Sequence, residues 1–197
     1  MGKRLVILAS GSGSNAQALL DRDDLGATVA AVIADVDGAH VLERARAAGV
    51  EAVCVDRRTY ADRSAWEAAL VNAVQTRAPD LVVLAGFMRI LSGDFVRRWP
   101  LLNVHPSLLP SFPGAHAVED ALAHGAKVTG VTVHFVVEEV DAGPIVAQAA
   151  VPIEPDDTPD TLHARMKAVE HHLLPHAVAL FCADRLSVDG RTVRILS

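Results

Sequence analysis

The chain has 197 residues, 51% of them hydrophobic, and a formal net charge of −6 at pH 7. This length and apolar content predict one large domain, or two small lobes around a shared core. The acidic balance, with no long basic run, argues against nucleic acid as a main partner. No apolar stretch approaches the length needed to span a bilayer, so we expect no membrane partner.

The two cysteines, Cys54 and Cys182, are far apart and share no close-spaced motif. We therefore expect two reduced, buried thiols in a cytoplasmic protein, and no metal site built on cysteine. We also expect no signal peptide, because only five apolar residues separate Lys3-Arg4 from Ser10.

Apolar runs alternate with amphipathic segments through the first half of the chain. The pattern predicts strands at 4–9, 29–34, 52–55 and 81–85, and helices after residue 15, over 40–48 and over 59–77. The run at 81–85 is apolar throughout, which is typical of a parallel strand covered on both faces. This order predicts a doubly wound α/β fold with a mostly parallel central sheet.

The second half has a different pattern, with more strands and one long helix. We predict strands at 101–105, 127–137 and 145–153, helices over 118–124 and 158–183, and a hairpin over 186–196 that turns at Asp189-Gly190. A short Gly-containing turn joins the strands at 127–137 and 145–153, which predicts an antiparallel extension of the sheet. Pro175 should kink or break the long helix.

A glycine loop follows the first predicted strand and opens a helix, over Gly11 to Ala16. Backbone N–H groups in such a loop can bind an anion. The loop fits the dinucleotide fingerprint, with Asp35 at the expected distance for a ribose contact. It fits equally a single phosphate with Ser14 and Asn15 adding side-chain bonds, or a turn that binds nothing, and the loop alone does not decide.

The strand at 101–105 carries two polar groups at the end where ligands of open α/β sheets bind. Asn103 and His105 are two residues apart and so share a face, which suits an oxyanion site with an amide and an imidazole donor. Asp141, on a Gly-containing turn, could orient the imidazole or carry a proton. His134 lies on a Val-rich strand and could face either the site or the core.

No residue is predicted as a covalent nucleophile. The sequence has no G-x-S-x-G motif, and Ser107 has no local base motif. The histidines, including His171-His172, do not form a zinc spacing with a nearby cysteine. We therefore expect no covalent serine intermediate and no zinc site built from histidine and cysteine.

Six segments are recognisable together, and several of them are distinctive. In chain order they are Ser10–Asn15, Ala85–Ser92, Asn103–Pro110, Phe112–His116, Gly130–Phe135 and Asp141–Pro144. Together they resemble the family of formyltransferases that use 10-formyltetrahydrofolate. The resemblance covers nearly the whole chain and implies a Rossmann-like formyltransferase fold. One small departure is Ala142, where the family turn usually has Gly.

The resemblance implies a reaction of purine biosynthesis. A formyl group would pass from the co-substrate 10-formyltetrahydrofolate to the amine of glycinamide ribonucleotide, with no metal. The implied catalytic residues are Asn103, His105 and Asp141. The implied contacts to glycinamide ribonucleotide are Gly13, Ser14, Asn15, Lys167 and Glu170. The implied folate contacts are Arg63, Met88, Arg89, Ile90, Leu91, Asn103, Val137, Glu138, Glu139, Val140 and Asp141.

The resemblance also implies one domain, residues 1–197, with small-molecule substrates and a monomeric or homodimeric state. Residues 1 to about 100 would form a phosphate-binding or nucleotide-binding half, and the remainder a catalytic and folate-binding half. Three alternatives remain: a small NAD-dependent oxidoreductase that uses Asp35, a formyltetrahydrofolate hydrolase, and a phosphate-binding module without catalysis. We expect the hydrolase less, because it would carry an N-terminal regulatory extension.

Overall fold

A computed structural model describes residues 2–197 and contains one continuous sheet flanked by helices. Its strands are β1 (Lys3–Ala9), β2 (Ala27–Ala34), β3 (Ala52–Cys54), β4 (Leu81–Leu84), β5 (Leu101–His105), β6 (Val128–Phe135), β7 (Ile145–Pro152), β8 (Leu186–Asp189) and β9 (Thr192–Ile195). Its helices are α1 (Ser14–Leu20), α2 (His40–Ala47), α3 (Arg63–Gln75), α4 (Gly93–Val96), α5 (Ala117–Ala123) and α6 (Pro159–Cys182). The predicted order of strands and helices is confirmed.

The sheet has the order β3-β2-β1-β4-β5-β6-β7-β9-β8. Strands β1 to β5 are parallel to one another, whereas β6 runs antiparallel to both β5 and β7. The predicted α/β fold with an antiparallel C-terminal extension is therefore confirmed. The strand order reverses direction at β1 and β4, and ligands of open α/β sheets bind beyond the strand ends at such a point.

The sheet is covered on both faces, as the apolar central strands predict. Successive residues of β1 point to opposite faces: Leu5 and Ile7 join one core cluster, and Val6 and Leu8 join the other. The first cluster includes apolar residues of α1, α2 and α6, and the second includes Trp66 of α3. This double packing holds the ends of β1, β4 and β5 rigidly beside one another.

The boundaries of α3 were predicted wrongly, because a capping signal was missed. The Asp62 side chain accepts a hydrogen bond of 2.8 Å from the Ala65 N–H, so the helix begins at Arg63. The preceding residues, Arg57–Thr59, form a separate 3-10 turn. The short helix α4 was not predicted, although Ser92 caps it in the same way.

Two further expectations need correction. Pro175 was expected to kink or break α6, and it does not break it, because α6 is a single helix of 24 residues. The buried ring of Pro175 packs into the core, and tertiary packing outweighs the lost backbone hydrogen bond. Cys182 is buried as expected, but Cys54 is exposed because it ends the edge strand β3.

Among residues 2–197, no helix is both long and apolar enough to cross a membrane.

Candidate active site

The three predicted catalytic side chains lie together at the end of β5. His105 is the last residue of that strand, and its Nδ1 lies 3.4 Å from Oδ2 of Asp141. His134 completes the group, with its Nε2 3.6 Å from Oδ1 of Asp141 and 3.2 Å from Nδ2 of Asn103. The Asp141 carboxylate therefore lies beside both imidazoles, and the Asn103 amide contacts one of them.

Strand register brings Asn103 and His134 together. Strands β5 and β6 are antiparallel, and Asn103 is directly opposite His134 in the ladder. Directly opposite residues of an antiparallel pair have close side chains on the same face. The sequence left the orientation of His134 open, and the register places it in the site.

The turn that carries Asp141 has an unusual backbone. Asp141 adopts a left-handed conformation with φ of 53°, which aspartate tolerates better than most side chains. Two residues later, a Cβ added to Gly143 would lie 1.7 Å from the carbonyl oxygen of Phe135. The turn can therefore lie against the end of β6 only because residue 143 has no side chain.

The Asp141 carboxylate is nearly buried, with 10% of its side chain exposed. Burial acts to raise its pKa, but the His134 ring, the Gly114 N–H and the positive charge of His105 together outweigh burial and lower the pKa below its ordinary value. The Gly114 N–H donates to Oδ2 over 2.7 Å. The carboxylate is therefore held as an anion beside His105.

The hydrogen-bond partners of the two rings indicate their protonation. His105 Nε2 lies 2.9 Å from the carbonyl oxygen of Phe112, and Nδ1 faces Asp141, so the doubly protonated ring satisfies both acceptors. His134 Nδ1 lies 2.8 Å from the carbonyl oxygen of Phe135 and so carries a proton. Its Nε2 lies within reach of both Asn103 Nδ2 and Asp141 Oδ1. Without a proton it accepts from the amide and leaves the second amide hydrogen of Asn103 for a ligand, and with a proton it donates to the carboxylate.

An apolar slot of about 300 Å3 opens in front of these residues. Its walls are two segments, 86–91 and 136–141, together with Asn103, His105 and His134. Met88 and Ile90 are 70% and 64% exposed in this slot. Large apolar side chains that are grouped on a surface usually mark a binding site, so this exposure supports one here. Of the predicted folate contacts, Met88, Arg89, Ile90, Leu91, Asn103, Val137, Glu138, Glu139, Val140 and Asp141 line the slot.

Arg63 is the one predicted folate contact that does not line the slot. It begins α3, and its Nη2 donates a hydrogen bond of 2.8 Å to the carbonyl oxygen of Ile90. Its position is therefore behind the wall formed by residues 86–91, where it supports the backbone.

A second cavity, of about 390 Å3, lies over the glycine loop. The predicted contacts Gly13, Ser14, Asn15, Lys167 and Glu170 all line this glycine-loop cavity. Gly13 has φ of 73°, and a Cβ there would lie 2.4 Å from Cγ2 of Val41. Only glycine allows this loop to pack on α2 and still turn its backbone towards the cavity.

Asn15 and Glu170 form a buried polar pair in the wall of the glycine-loop cavity. Asn15 Nδ2 donates to Oε2 of Glu170 over 2.7 Å, and the two residues are only 8% and 4% exposed. Asn15 Oδ1 has no hydrogen-bond partner among residues 2–197. The pair therefore holds an acceptor and a carboxylate ready for a polar ligand, while Lys167 supplies a positive charge.

The two cavities share a border. Five residues line both of them: Gly86, Met88, Val104, Pro106 and Ala115. The polar group of Asn103, His105, His134 and Asp141 lies on the slot side of this border. Two ligands bound in the two cavities would meet beside these four polar side chains.

Asp35 does not face the glycine-loop cavity. Its side chain is fully buried, and its Oδ2 lies 2.5 Å from Nε of Arg89. The ribose contact expected of an NAD-binding protein is therefore not made by this carboxylate.

The Ser107 hydroxyl donates a hydrogen bond to the carbonyl oxygen of Ser111, so it is not held by a base as a nucleophile would be. Among residues 2–197, no cluster of three or more His, Cys, Asp or Glu side chains could hold a metal ion.

Comparison with known proteins identifies the family. A model of the formyl transferase family matches residues 3–178. The chain belongs to the formyl transferase family. Formyl transferases of this family use 10-formyltetrahydrofolate as co-substrate.

Named formyl transferases are similar over nearly the whole chain. The phosphoribosylglycinamide formyltransferase of Mycobacterium tuberculosis (strain H37Rv) is 47% identical over 96% of this chain and 89% of its own length. The crystal structure of glycinamide ribonucleotide transformylase 1 from Symbiobacterium toebii has a TM-score of 0.96 and 49% identity, covering 100% of this chain and 95% of that one. The chain spans only 19% of the trifunctional purine biosynthetic protein adenosine-3 of Bos taurus, to which it is 44% identical.

Some residues of this formyl transferase site were not predicted from its sequence. The Phe112 carbonyl and Gly114 N–H bond His105 and Asp141 through the backbone, which no side-chain pattern reveals. Both lie in a segment that carries the family resemblance, and this was the available signal. His134 was weighed but left open, because its face depends on a register that the sequence alone does not fix.

Proposed function

We propose that this formyl transferase moves the formyl group of 10-formyltetrahydrofolate to the amine of glycinamide ribonucleotide. The products are formylglycinamide ribonucleotide and tetrahydrofolate, and the reaction is a step of purine biosynthesis. One observation carries the proposal: Asn103, His105 and Asp141 lie together beside the border of two cavities of different chemistry. The relatives that carry the corresponding enzyme name support it.

Glycinamide ribonucleotide would occupy the glycine-loop cavity. The backbone N–H groups of Gly13 and Ser14 suit its phosphate, because glycine permits a close approach to an anion. Lys167 adds a positive charge, whereas Asn15 and Glu170 offer oxygen acceptors to hydroxyl or amine groups. In this arrangement the amine of the ribonucleotide points towards the border with the apolar slot.

10-Formyltetrahydrofolate would occupy the apolar slot. Met88, Ile90, Leu91, Val137 and Val140 offer apolar surface to its flat ring system. The polar residues Arg89, Glu138 and Glu139 line the same slot and can bond its polar edges. Arg63 would act from behind the wall through its bond to the Ile90 carbonyl.

The chemistry is a direct transfer through a tetrahedral intermediate. The amine nitrogen attacks the formyl carbon, and the carbonyl electrons move onto the formyl oxygen. The amide hydrogen of Asn103 that is left free and the positive charge of the protonated His105 ring stabilise that oxyanion, and preorganised electrostatic stabilisation of this kind is a large source of catalysis. Asp141 holds the imidazolium charge and assists the proton as it passes from the attacking nitrogen to N10. The intermediate then collapses, the bond from carbon to N10 breaks, and no covalent enzyme adduct forms.

We also propose how the chain is organised and where it works. The chain acts as one domain, with a phosphate-binding half up to about residue 100 and a catalytic, folate-binding half after it. Its substrates are small molecules, it works as a monomer or homodimer, and it resides in the cytoplasm. Size-exclusion chromatography with light scattering distinguishes the two oligomeric states.

One assay tests the reaction. Purified protein is mixed with 10-formyltetrahydrofolate and glycinamide ribonucleotide, and tetrahydrofolate formation is followed by absorbance. We expect product only when both substrates are present, and a rate about 100-fold to 1000-fold lower with His105→Ala. Product without the ribonucleotide would indicate the hydrolase instead. No product from substrates that a known transformylase converts would refute the proposal.

A further inference from the structure

Asp35 and Arg89 form an ion pair outside the catalytic group. Asp35 follows β2, and its side chain is 0% exposed, whereas 44% of the Arg89 side chain is exposed. Asp35 Oδ2 lies 2.5 Å from Arg89 Nε, and Asp35 Oδ1 has no partner among the described residues 2–197. The carboxylate is thus buried, and the Arg89 guanidinium is the group that neutralises its negative charge.

A buried carboxylate of this kind contributes little to the stability of the folded protein. A buried charge loses its hydration, and an oxygen left without a partner adds to that cost. Replacing a buried pair by apolar residues of similar volume is often neutral or stabilising. Asp35 therefore calls for a role other than stability, and it lines neither cavity.

The wall segment Gly86–Ser92 is the structure that Asp35 reaches. Other side chains hold its backbone: Ser10 Oγ accepts the Met88 N–H over 2.9 Å, and Glu67 Oε1 accepts the Ser92 N–H over 2.6 Å. Asp35 instead holds a side chain of the segment, and it uses only Nε of Arg89. The two terminal nitrogens of Arg89 make no hydrogen bond to any of residues 2–197 described, and Arg89 lines the apolar slot.

We propose that Asp35 is a positioning residue for the folate co-substrate. By bonding Nε it fixes the plane of the Arg89 guanidinium and leaves both terminal nitrogens for a carbonyl or carboxylate oxygen of the ligand. A guanidinium already oriented loses less rotational freedom on binding, so binding is tighter. The inference rests on the proposed function, because it names the ligand of the apolar slot.

The test separates binding of the two substrates. Asp35→Asn keeps the size of the side chain and removes its charge. We expect the KM for 10-formyltetrahydrofolate to rise about 10-fold, as for loss of one charge-assisted hydrogen bond. The KM for glycinamide ribonucleotide and kcat should stay within about twofold, because neither the glycine-loop cavity nor the catalytic group is touched.

A matched control is available at the end of the next strand. Asp56 is also buried, at 8% exposed, and lies 2.8 Å from an exposed arginine, Arg58, which lines neither cavity. Asp56→Asn should lower the melting temperature without changing the KM for either substrate. An equal rise in folate KM for both variants would show a general loss of structure and would overturn the inference.

A double-mutant cycle tests whether Asp35 acts through Arg89. Arg89→Met should raise the folate KM at least as much as Asp35→Asn does, and the double variant should match Arg89→Met, because Asp35 acts through Arg89. Additive effects would overturn the inference. If Asp35→Asn does not fold, Arg89→Met with an exposed side chain still probes the same pair.

Hydrogen exchange keeps the inference separate from the proposed function. In the ligand-free protein, the backbone amides of residues 88–91 should exchange hydrogen faster in Asp35→Asn than in wild type. In Asp56→Asn the exchange rates of these amides should be the same as in wild type. A wild-type protein without formyl transfer activity refutes the proposed function, and the folate assignment with it. An active wild type, with folate KM and exchange both unchanged in Asp35→Asn, refutes only the role of Asp35.

Discussion

The Asp141 carboxylate lies directly beside the His105 ring, with Oδ2 3.4 Å from Nδ1. The two residues are 36 positions apart in the sequence and belong to different elements. Their contact matters because it pairs a buried anion with the ring that faces the developing charge in the proposed mechanism. The negative carboxylate lies against the positive ring, and the charge of that ring favours the developing oxyanion.

Loss of this contact should abolish most of the activity without unfolding the protein. For His105→Ala or Asp141→Asn we expect kcat to fall by about 100-fold to 1000-fold, as for the loss of one group on which stabilisation of the oxyanion depends. Steady-state kinetics and circular dichroism measure the two effects. Asp80→Asn is the control, because that exposed carboxylate bonds the Arg4 N–H before β4, away from the site. Near-normal turnover in either site variant would contradict the assigned roles.

The lowered pKa of Asp141 predicts a pH-dependent contribution to stability. Because the folded state favours the ionised form, the contribution is fully present above the ordinary carboxyl range near pH 4 and is lost as the pH falls through the lowered pKa. The difference in unfolding free energy between wild type and Asp141→Asn should therefore shrink on acidification. Urea titrations from pH 7 downwards measure it, and a difference that stays constant would contradict the lowered pKa.

The glycine-loop cavity makes a separate prediction for Lys167. Lys167→Met removes the positive charge of that cavity and keeps most of the apolar stem. We expect the KM for glycinamide ribonucleotide to rise about 10-fold and that for 10-formyltetrahydrofolate to stay unchanged. Lys127→Met, at an exposed position before β6, is the matched control. A rise confined to the folate KM would reverse the assignment of the two cavities.

The sequence was sufficient where a local pattern determines the structure. β5 has the bounds predicted for it, because an apolar run ends at a proline, and the two polar residues near its end point to one place. The glycine loop was also predicted, because its glycines stand between a strand and a helix, and Gly13 has the positive φ that glycine allows. These are properties of neighbouring residues and of backbone geometry, which a single sequence records.

The parts that were missed depend on distant contacts. Asp35 occupies the position of a ribose-binding acid, yet its partner Arg89 comes from the loop after β4, which the strand order brings near. His134 faces the site because of the β5–β6 register. Cys54 is exposed because β3 lies at the sheet edge. Strand order and register are set by global packing, so no local pattern states them.

The bond between Asn103 and His134 predicts a smaller effect than loss of Asn103 itself. His134→Phe keeps a ring but removes the nitrogen that accepts from Asn103 at 3.2 Å. We expect kcat to fall about 10-fold, the value of one hydrogen bond that orients a donor. The effect should vanish in an Asn103→Ala background, because His134 acts through that amide. An equal loss of kcat in both backgrounds would assign His134 an independent role.

The turn after Asp141 gives the last prediction. A Cβ at residue 143 would lie 1.7 Å from the Phe135 carbonyl oxygen, so Gly143→Ala must push the turn away from the end of β6. A displacement of about 1 Å in a catalytic group can cost about 100-fold in rate, and we expect a fall in kcat of that order. Ala142→Gly is the control, since it changes the same turn without adding an atom, and its kcat should be nearly normal. If Gly143→Ala keeps normal kcat, the position of Asp141 does not depend on this close approach.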